Sequence, residues 1–129
     1  MIGIDFDELC RQGIHGDREL GIQRLLEATI AMENWYLLFE KVTDDNPKPI
    51  IGKISDKLWM FGFTDVRRAK NFLREEEMDA DIIKITPSVC LPWLKKYEAF
   101  GVVGVRFNEG ALGWYASIRN LEYMQRELG

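Results

Sequence analysis

The chain has 129 residues, of which 47% are hydrophobic and 29% charged, and this balance is typical of one soluble globular domain rather than a disordered chain. No run approaches the roughly 20 apolar residues of a membrane-spanning helix, so we predict no membrane association. The formal net charge of −4 disfavours nucleic acid, which is held by clustered Lys and Arg, and favours a basic protein partner.

The N-terminus predicts a cytoplasmic protein, because MIGIDFDELC carries acidic residues where a signal peptide has positive charge. The two cysteines, Cys10 and Cys90, fall in different predicted helices and form no C-x-x-C pair. In that compartment reduced thiols are the rule, so we expect no structural disulfide.

The first part of the chain predicts two helices followed by a strand. A short helix is expected over residues 6–12, ending near Gly13, and Asp17 is placed to cap a longer helix that runs to Met32. The period changes over residues 34–42, where apolar side chains occupy both alternating faces, so we predict a strand near the centre of the sheet. The buried stripe of the second helix is predicted at Ile22, Leu25, Leu26, Thr29 and Met32.

The middle of the chain predicts a hairpin and a capped helix. A loop rich in Asx and proline, residues 44–49, precedes a strand over 50–54, and Ser55 and Asp56 favour a tight turn into an apolar strand over 58–63. Thr64 stands where a helix N-cap belongs, and three glutamates at 75–77 predict fraying by Met78. The buried stripe of this helix is predicted at Val66, Ala69, Phe72 and Leu73.

The last part of the chain alternates strands and helices. A strand is predicted over 81–86, and Thr86-Pro87 is the start signal of a helix, a hydroxyl cap followed by proline at the first helical position. Pro92 could delay or kink this helix, so it is predicted to be secure from Pro92 to its cap at Gly101, and a strand follows over 102–107. After the turn at 108–110 we predict a brief strand over 112–116 and a last helix capped by Ser117. The inward residues of this helix are predicted at Ile118, Leu121, Met124 and Leu128, and Glu122 is expected to pair with Arg126.

The element order predicts an α/β or α+β fold in a single domain. We expect a mixed sheet of about five strands that contains one hairpin, with helices packed on it. The hairpin excludes a purely parallel sheet.

Few residues offer catalytic chemistry. His15 is the only histidine, so a nucleophilic site would have to pair it with Cys10, and the alternative is a loop histidine beside a partly buried thiol. The acidic groups lack the ligand spacing of a calcium loop, and the run from Gly101 to Gly104 lacks the Lys-Ser/Thr pair of a phosphate loop. We therefore predict a non-enzymatic protein with no catalytic residue, cofactor or metal.

Two groups of residues are candidates for partner binding. The basic positions Arg67, Arg68, Lys70 and Arg74 are predicted to point outward from one helix and could hold an acidic group; the alternative is a solvated face neutralised by the glutamates that follow. Trp114 and Tyr115 follow a Gly-rich turn near the predicted sheet edge, where exposed aromatic residues anchor interfaces; the alternative is burial under the last helix.

One family resembles this chain in specific motifs. The run Phe63-Thr64-Asp65, the pair Arg68-Ala69, and the stretch from Gly101-Val102 to Asn108-Glu109-Gly110 are similar to the SseB-type N-terminal domain of bacteria. Members share a strand ending in Phe-Thr, a following helix with an Ala, and a late Gly-Val strand ending in Asn-Pro-Gly, where this chain has Asn-Glu-Gly.

The resemblance covers residues 34–129 and leaves 1–33 as a helical N-terminal extension of the single domain. It implies a bacterial α/β domain and supplies no catalytic residue. We predict a protein-binding domain that acts as an adaptor, a regulator or an immunity-type partner. A small-molecule sensor of the amino-acid type is the alternative, since the family is named for a link to serine sensitivity.

Overall fold

Five helices and six strands make up the part of the chain that the structure, a computed structural model, describes. That part comprises residues 5–16, 18–41, 48–110 and 113–128, with the backbone alone for 12–15 and 128. The helices are α1 (Phe6–His15), α2 (Arg18–Ala31), α3 (Val66–Glu75), α4 (Pro87–Glu98) and α5 (Ile118–Leu128). The strands are β1 (Trp35–Glu40), β2 (Ile51–Ile54), β3 (Lys57–Phe63), β4 (Ala80–Ile85), β5 (Val102–Phe107) and β6 (Trp114–Ser117).

The strands form one mixed sheet in the order β4-β1-β3-β5-β6, and β2 pairs with β3. The pair β3–β5 is parallel, whereas β1–β3, β1–β4, β2–β3 and β5–β6 are antiparallel. Along one side β3 pairs with β5, so its other side is shared between β2 at its start and β1 at its end. The α+β fold with a mixed sheet and one hairpin is therefore confirmed, with one strand more than expected.

The β2–β3 hairpin closes through the predicted turn. Ser55 and Asp56 have φ angles of 53° and 65°, so both central residues lie in the left-handed region. That pair of angles belongs to a type I′ turn, whose twist matches the right-handed twist of the strands it joins. The turn holds without the glycine that usually relieves strain at these positions.

The two faces of the sheet have separate cores, because successive strand residues point to opposite faces. Met60 of β3 lies in the larger core under α2, α4 and α5, together with Trp35, Val105 and Phe107. Phe61 and Phe63 face the other way, against Ala69 of α3. The apolar character of both faces of β3 thus reflects a strand that is covered on both sides.

The N-cap of α3 differs from the prediction. Asp65 is the cap: its Oδ1 accepts a hydrogen bond of 2.8 Å from the Arg68 backbone N–H. Thr64 is held instead by Asn108, whose Oδ1 accepts from the Thr64 backbone N–H at 3.0 Å. The predicted cap at Thr64 is wrong because a side chain from the end of β5 binds that residue. In the predicted stripe Ala69 is buried and Phe72 and Leu73 are partly buried, but Val66 is exposed.

The N-terminal helices also depart from the expected bounds. α1 continues to His15, so this residue ends a helix rather than lying in a loop. In α2 the predicted stripe is buried at Leu25, Leu26 and Thr29 and partly buried at Met32, but Ile22 is 47% exposed and that assignment is wrong. Several predicted features lie outside the described residues, namely the cap at Asp17, loop residues 44–47 and the strand start at Leu112.

The last two helices begin at predicted signals. α4 starts at Pro87 and contains Pro92 in its interior, so the expectation that only the part from Pro92 onward is secure is wrong. Ser117 caps α5 by accepting a hydrogen bond of 3.1 Å from the Asn120 backbone N–H. Ile118, Leu121 and Met124 are buried as predicted, while the side chain of Leu128 is not among those described. None of the described helices is long and apolar enough to cross a membrane.

Candidate functional site

Trp114, one of the two predicted aromatic anchors, is part of the packing between the helices and the sheet. Its ring stacks on Phe6 of α1, with centroids 5.2 Å apart, and on Phe107 of β5 at 5.6 Å. Its indole Nε1–H donates to Thr29 Oγ1 at 3.2 Å. Trp114 is therefore partly buried, and its partners are in α1, α2 and β5 rather than in the last helix, where the alternative had placed it.

Thr29 connects three elements through one buried position. Its hydroxyl donates to the Leu25 carbonyl at 2.6 Å while accepting from Trp114, and its own carbonyl accepts from Trp35 Nε1–H at 2.8 Å. The residue is fully buried. In the sequence, the only sign of this connecting role is a hydroxyl residue in the otherwise apolar stripe of α2. The sequence does not predict that Trp35 and Trp114 are its partners.

Tyr115 lies on the opposite face of the sheet and is 61% exposed. Its ring meets the buried Trp59 edge-on, with centroids 5.3 Å apart. The Arg106 guanidinium lies 5.8 Å from the Trp59 centroid and 5.7 Å from that of Tyr115, within the range of a cation–π contact. Glu109 fixes this guanidinium by accepting from Arg106 Nε–H at 2.6 Å. Arg106 and Glu109 thereby orient an exposed aromatic ring at the end of the sheet.

A groove with a volume of about 490 Å³ runs along β6. Three of the four β6 residues line it, and β6 has β5 as its single strand neighbour among the described residues. The remaining lining is mostly apolar and comes from α1, from α2, from the strands and from the start of α5. The described lining residues are Cys10, Arg18, Ile22, Leu25, Leu26, Lys57, Trp59, Val103, Gly113, Trp114, Tyr115, Ser117 and Asn120.

The groove has a positive rim. Arg18, the first residue of α2, and Lys57, the first residue of β3, both line it and both are exposed. Its described lining contains no Asp or Glu. The charge of the described lining is therefore opposite in sign to the net charge of the chain, which is −4.

The four basic residues predicted on α3 do not form one surface. Arg67, Lys70 and Arg74 are exposed, and Arg74 donates to Asn71 at 2.8 Å. Arg68 points inward instead, because its guanidinium donates to Asp7 of α1 at 2.9 Å and to Asp65 at 3.2 Å. Three cations remain at the surface of α3, and the fourth joins that helix to α1.

The Asp7–Arg68 ion pair shifts both titrations. The hydrogen bond from Arg68 lowers the pKa of Asp7, and the same bond raises the pKa of Arg68. The other Asp7 oxygen, Oδ1, is buried and accepts no hydrogen bond within the described part of the chain. Removing this oxygen from water without a hydrogen-bond partner is unfavourable, and it offsets part of the stabilisation that the ion pair provides.

Both cysteines are buried thiols in environments that disfavour the reactive thiolate. Burial raises the pKa of Cys10, and it raises the pKa of Cys90 to about 12. The other member of the Cys–His pair considered from sequence, His15, has a side chain outside the described set. The described residues include no group of three or more His, Cys, Asp and Glu that could hold a metal ion.

A second apolar surface follows one side of α4. Trp93 and Tyr97 pack with ring centroids 4.8 Å apart, and Tyr97 is followed by Phe100, which is 75% exposed. Val89, one turn before Trp93, is also exposed. This surface lies on a helix and, in the described part of the chain, lacks the strand edge that accompanies the groove at β6.

Comparison with known protein families and with curated proteins finds no match to this chain. The groove at β6 is the candidate functional site because it combines an apolar lining with a strand edge and an exposed aromatic residue. Of the six candidate residues predicted from the sequence, Tyr115 and Trp114 line this groove, whereas the basic residues of α3 do not line it.

Proposed function

We propose that this protein is a non-enzymatic binding domain that engages a protein partner through the groove at β6. The observation that carries the proposal is an exposed aromatic residue, Tyr115, on an edge strand that lines an apolar groove of about 490 Å³. Edge strands present unpaired backbone groups, and exposed aromatic residues supply much of the energy of protein interfaces. The SseB resemblance supports a role as an adaptor, regulator or immunity-type partner in a bacterial cytosol.

Site-specific cross-linking tests this proposal with a matched control. A photoreactive benzoylphenylalanine replaces Tyr115 in one protein and Tyr123 of α5 in another, since the two tyrosines are 61% and 55% exposed. We expect a discrete cross-linked protein from position 115, absent from position 123. The variant Ile22→Asp, which puts charge at an exposed groove position, should abolish that product without changing the melting temperature. Equal products from both positions, or none, would contradict the proposal.

The alternative function is a small-molecule sensor that uses the same groove. The supporting observation is its size and lining, because pockets of roughly 300–1,000 Å³ with mostly apolar walls and few polar groups are typical of ligand sites. A ligand at 100 times its Kd stabilises the folded protein by about 2.7 kcal/mol. We expect a thermal-shift screen of amino acids and nucleotides to raise the melting temperature, and Ile22→Trp, which fills the groove, to remove that shift. A screen without a hit would exclude these ligand classes.

A further inference from the structure

We infer that the groove at β6 binds an acidic, extended segment of a partner protein, added as a strand to the edge of the sheet. The inference rests on the proposed function and specifies the kind of partner. It follows from three properties of the groove: its strand edge, the two surfaces beside that edge, and its charge.

The strand edge favours a backbone as the occupant. All four β6 residues pair with β5, in the register Gly104↔Ser117 to Phe107↔Trp114, and the opposite side of β6 has no partner strand among the described residues. Trp114, Tyr115 and Ser117 line the groove, so the strand edge is part of the binding surface. An extended peptide satisfies a row of backbone N–H and C=O groups, which is the basis of recognition by strand addition.

The surfaces on the two sides of β6 suit the alternating side chains of an added strand. On one face, Ala116 belongs to the larger core beneath the helices and Trp114 packs against that core. On this side α2 contributes Ile22 and Leu25 to the groove. Tyr115 contacts Trp59 on the other face. Because neighbouring residues of a strand point to opposite faces, every second residue of the segment would contact the apolar wall of α2.

The charge of the groove favours acidic residues at those positions of the bound segment that do not face the apolar wall of α2. Arg18 and Lys57 line the groove without a carboxylate among its described lining, and the neighbouring Glu109 is already bound to Arg106. Exposed charges act over a Debye length of about 8 Å at physiological salt, so the two cations that line the groove count for more at the contact than the net charge of the whole chain. The net charge predicts a basic partner overall, whereas the segment in contact with the groove is acidic.

Two matched peptides provide the test. One peptide of about eight residues, the length of an ordinary strand, alternates valine with glutamate, and its twin has lysine in place of glutamate. Isothermal titration calorimetry on the full chain should show binding of the acidic peptide, weakened about tenfold or more in the twin. The double variant Arg18→Glu/Lys57→Glu should reverse this preference. Lys70→Glu on α3, the control, should leave both affinities unchanged.

Backbone methylation separates strand addition from a general attraction between charges. In a bound strand the N–H groups alternate between β6 and solvent, so N-methyl groups on one set of alternate residues should abolish binding while those on the other set should be tolerated. Equal tolerance of both sets, or no binding of the acidic peptide at millimolar concentration, would overturn the inference.

Other occupants give distinct results. A dimer that dissociates in Tyr115→Glu would assign the edge to a second copy of the chain. A tenfold gain in peptide affinity on removal of residues 1–4 would assign it to the chain's own N-terminus. Either result overturns the inference. If the acidic peptide fails while cross-linking from position 115 persists and depends on Ile22, the inference is wrong and the proposed function stands; loss of both rejects both.

Discussion

At the scale of single residues, polar atoms at buried or half-buried positions make several of the contacts that join distant parts of the chain. Thr29 binds the indoles of Trp35 and Trp114, and Arg68 binds Asp7 and Asp65. Each contact satisfies a group that would otherwise be desolvated without a partner, so its loss is more damaging than the loss of an exposed hydrogen bond.

The first prediction concerns the hydroxyl of Thr29. Thr29→Val keeps the shape of the side chain but leaves the Trp114 N–H without its acceptor, so we expect a loss of about 1–3 kcal/mol in the free energy of unfolding. Urea denaturation followed by tryptophan fluorescence measures it. Thr86→Val is the control, because Thr86 is exposed and makes no side-chain capping bond. An equal, small effect of both variants would show that the Thr29 hydroxyl is not needed.

The second prediction concerns the Asp7–Arg68 pair and pH. The pKa of Asp7 is lowered from 3.8 in the folded state, so the unfolded chain holds more protons in the acidic range. The stabilisation is present in full well above pH 3.8 and is lost as the pH falls through the lowered pKa. Asp7→Asn should reduce stability by about 1 kcal/mol at neutral pH and flatten the acid limb of the curve of stability against pH.

Denaturation across a pH series measures both effects. Glu8→Gln is the matched control, because Glu8 pairs with Arg11 at 3.3 Å but both side chains are half exposed. Solvent and salt screen such a pair, and we expect little change. An Asp7→Asn curve parallel to that of the wild type would contradict the role assigned to the ion pair.

At the scale of elements, local signals set some of the boundaries, and the face that a strand or helix buries is set by what packs against it. The β2–β3 hairpin is the clearest case, since Ser55 and Asp56 form its turn with both φ angles positive. The register follows, with Ile54 opposite Lys57 and Ile51 opposite Met60. This register directs Phe61 and Phe63 toward α3 and Met60 toward the larger core.

The third prediction concerns that turn. Asn and Gly at its two central positions adopt positive φ with less strain, so Ser55→Asn/Asp56→Gly should stabilise the protein by about 0.5–1 kcal/mol. Asp56→Ala should destabilise it, because alanine adopts the left-handed region less readily than aspartate. Thermal unfolding followed by circular dichroism measures both. Shifts in the same direction for the two variants would show that strain at position 56 does not limit stability.

At the scale of the whole molecule, the N-terminal helices and the sheet share one core. Leu26 of α2 lies in the larger core cluster with Trp35 and Phe107, and Phe6 of α1 stacks on Trp114. The sequence predicts residues 1–33 to be a helical extension, but the packing of the described residues does not divide at residue 34.

The fourth prediction is that residues 34–129 do not fold cooperatively alone. The fragment lacks Leu26 and Thr29, so the larger core opens and the indoles of Trp35 and Trp114 lose their acceptors. We expect loss of near-ultraviolet circular dichroism and of a sharp thermal transition, with both restored on addition of a peptide of residues 5–33. A fragment with the same melting temperature as the full chain would instead show that the helices are a dispensable extension.

Part of this fold follows from signals within a few residues of each other. The β2–β3 turn, the start of α4 at Pro87 and the Ser117 cap are set by local backbone preferences and short-range hydrogen bonds. Two of the wrong predictions have long-range causes. Thr64 is bound by Asn108, 44 residues away, and Arg68 is turned inward by Asp7, 61 residues away.

The candidate site, like the fold, could be predicted only in part from the sequence. The sequence indicated aromatic residues at the sheet edge, and Tyr115 lies exposed there while Trp114 is held by Phe6, Phe107 and Thr29. Two adjacent strand residues must point to opposite faces, but which face is exposed depends on the helices that cover the sheet. The groove joins α1, α2, α5 and three strands, so no single stretch of sequence contains it.

The sequence by itself determined the order and type of the elements and the hairpin, because hydrophobic period, caps and turn residues act over a few positions. Only the tertiary structure decided which side chains are available to a partner. The exposure of a side chain depends on which helices pack over the sheet. α1 and α2 pack against Trp114, and Asp7 binds Arg68. Tyr115 is left exposed on an edge strand, in a groove that Arg18 and Lys57 also line.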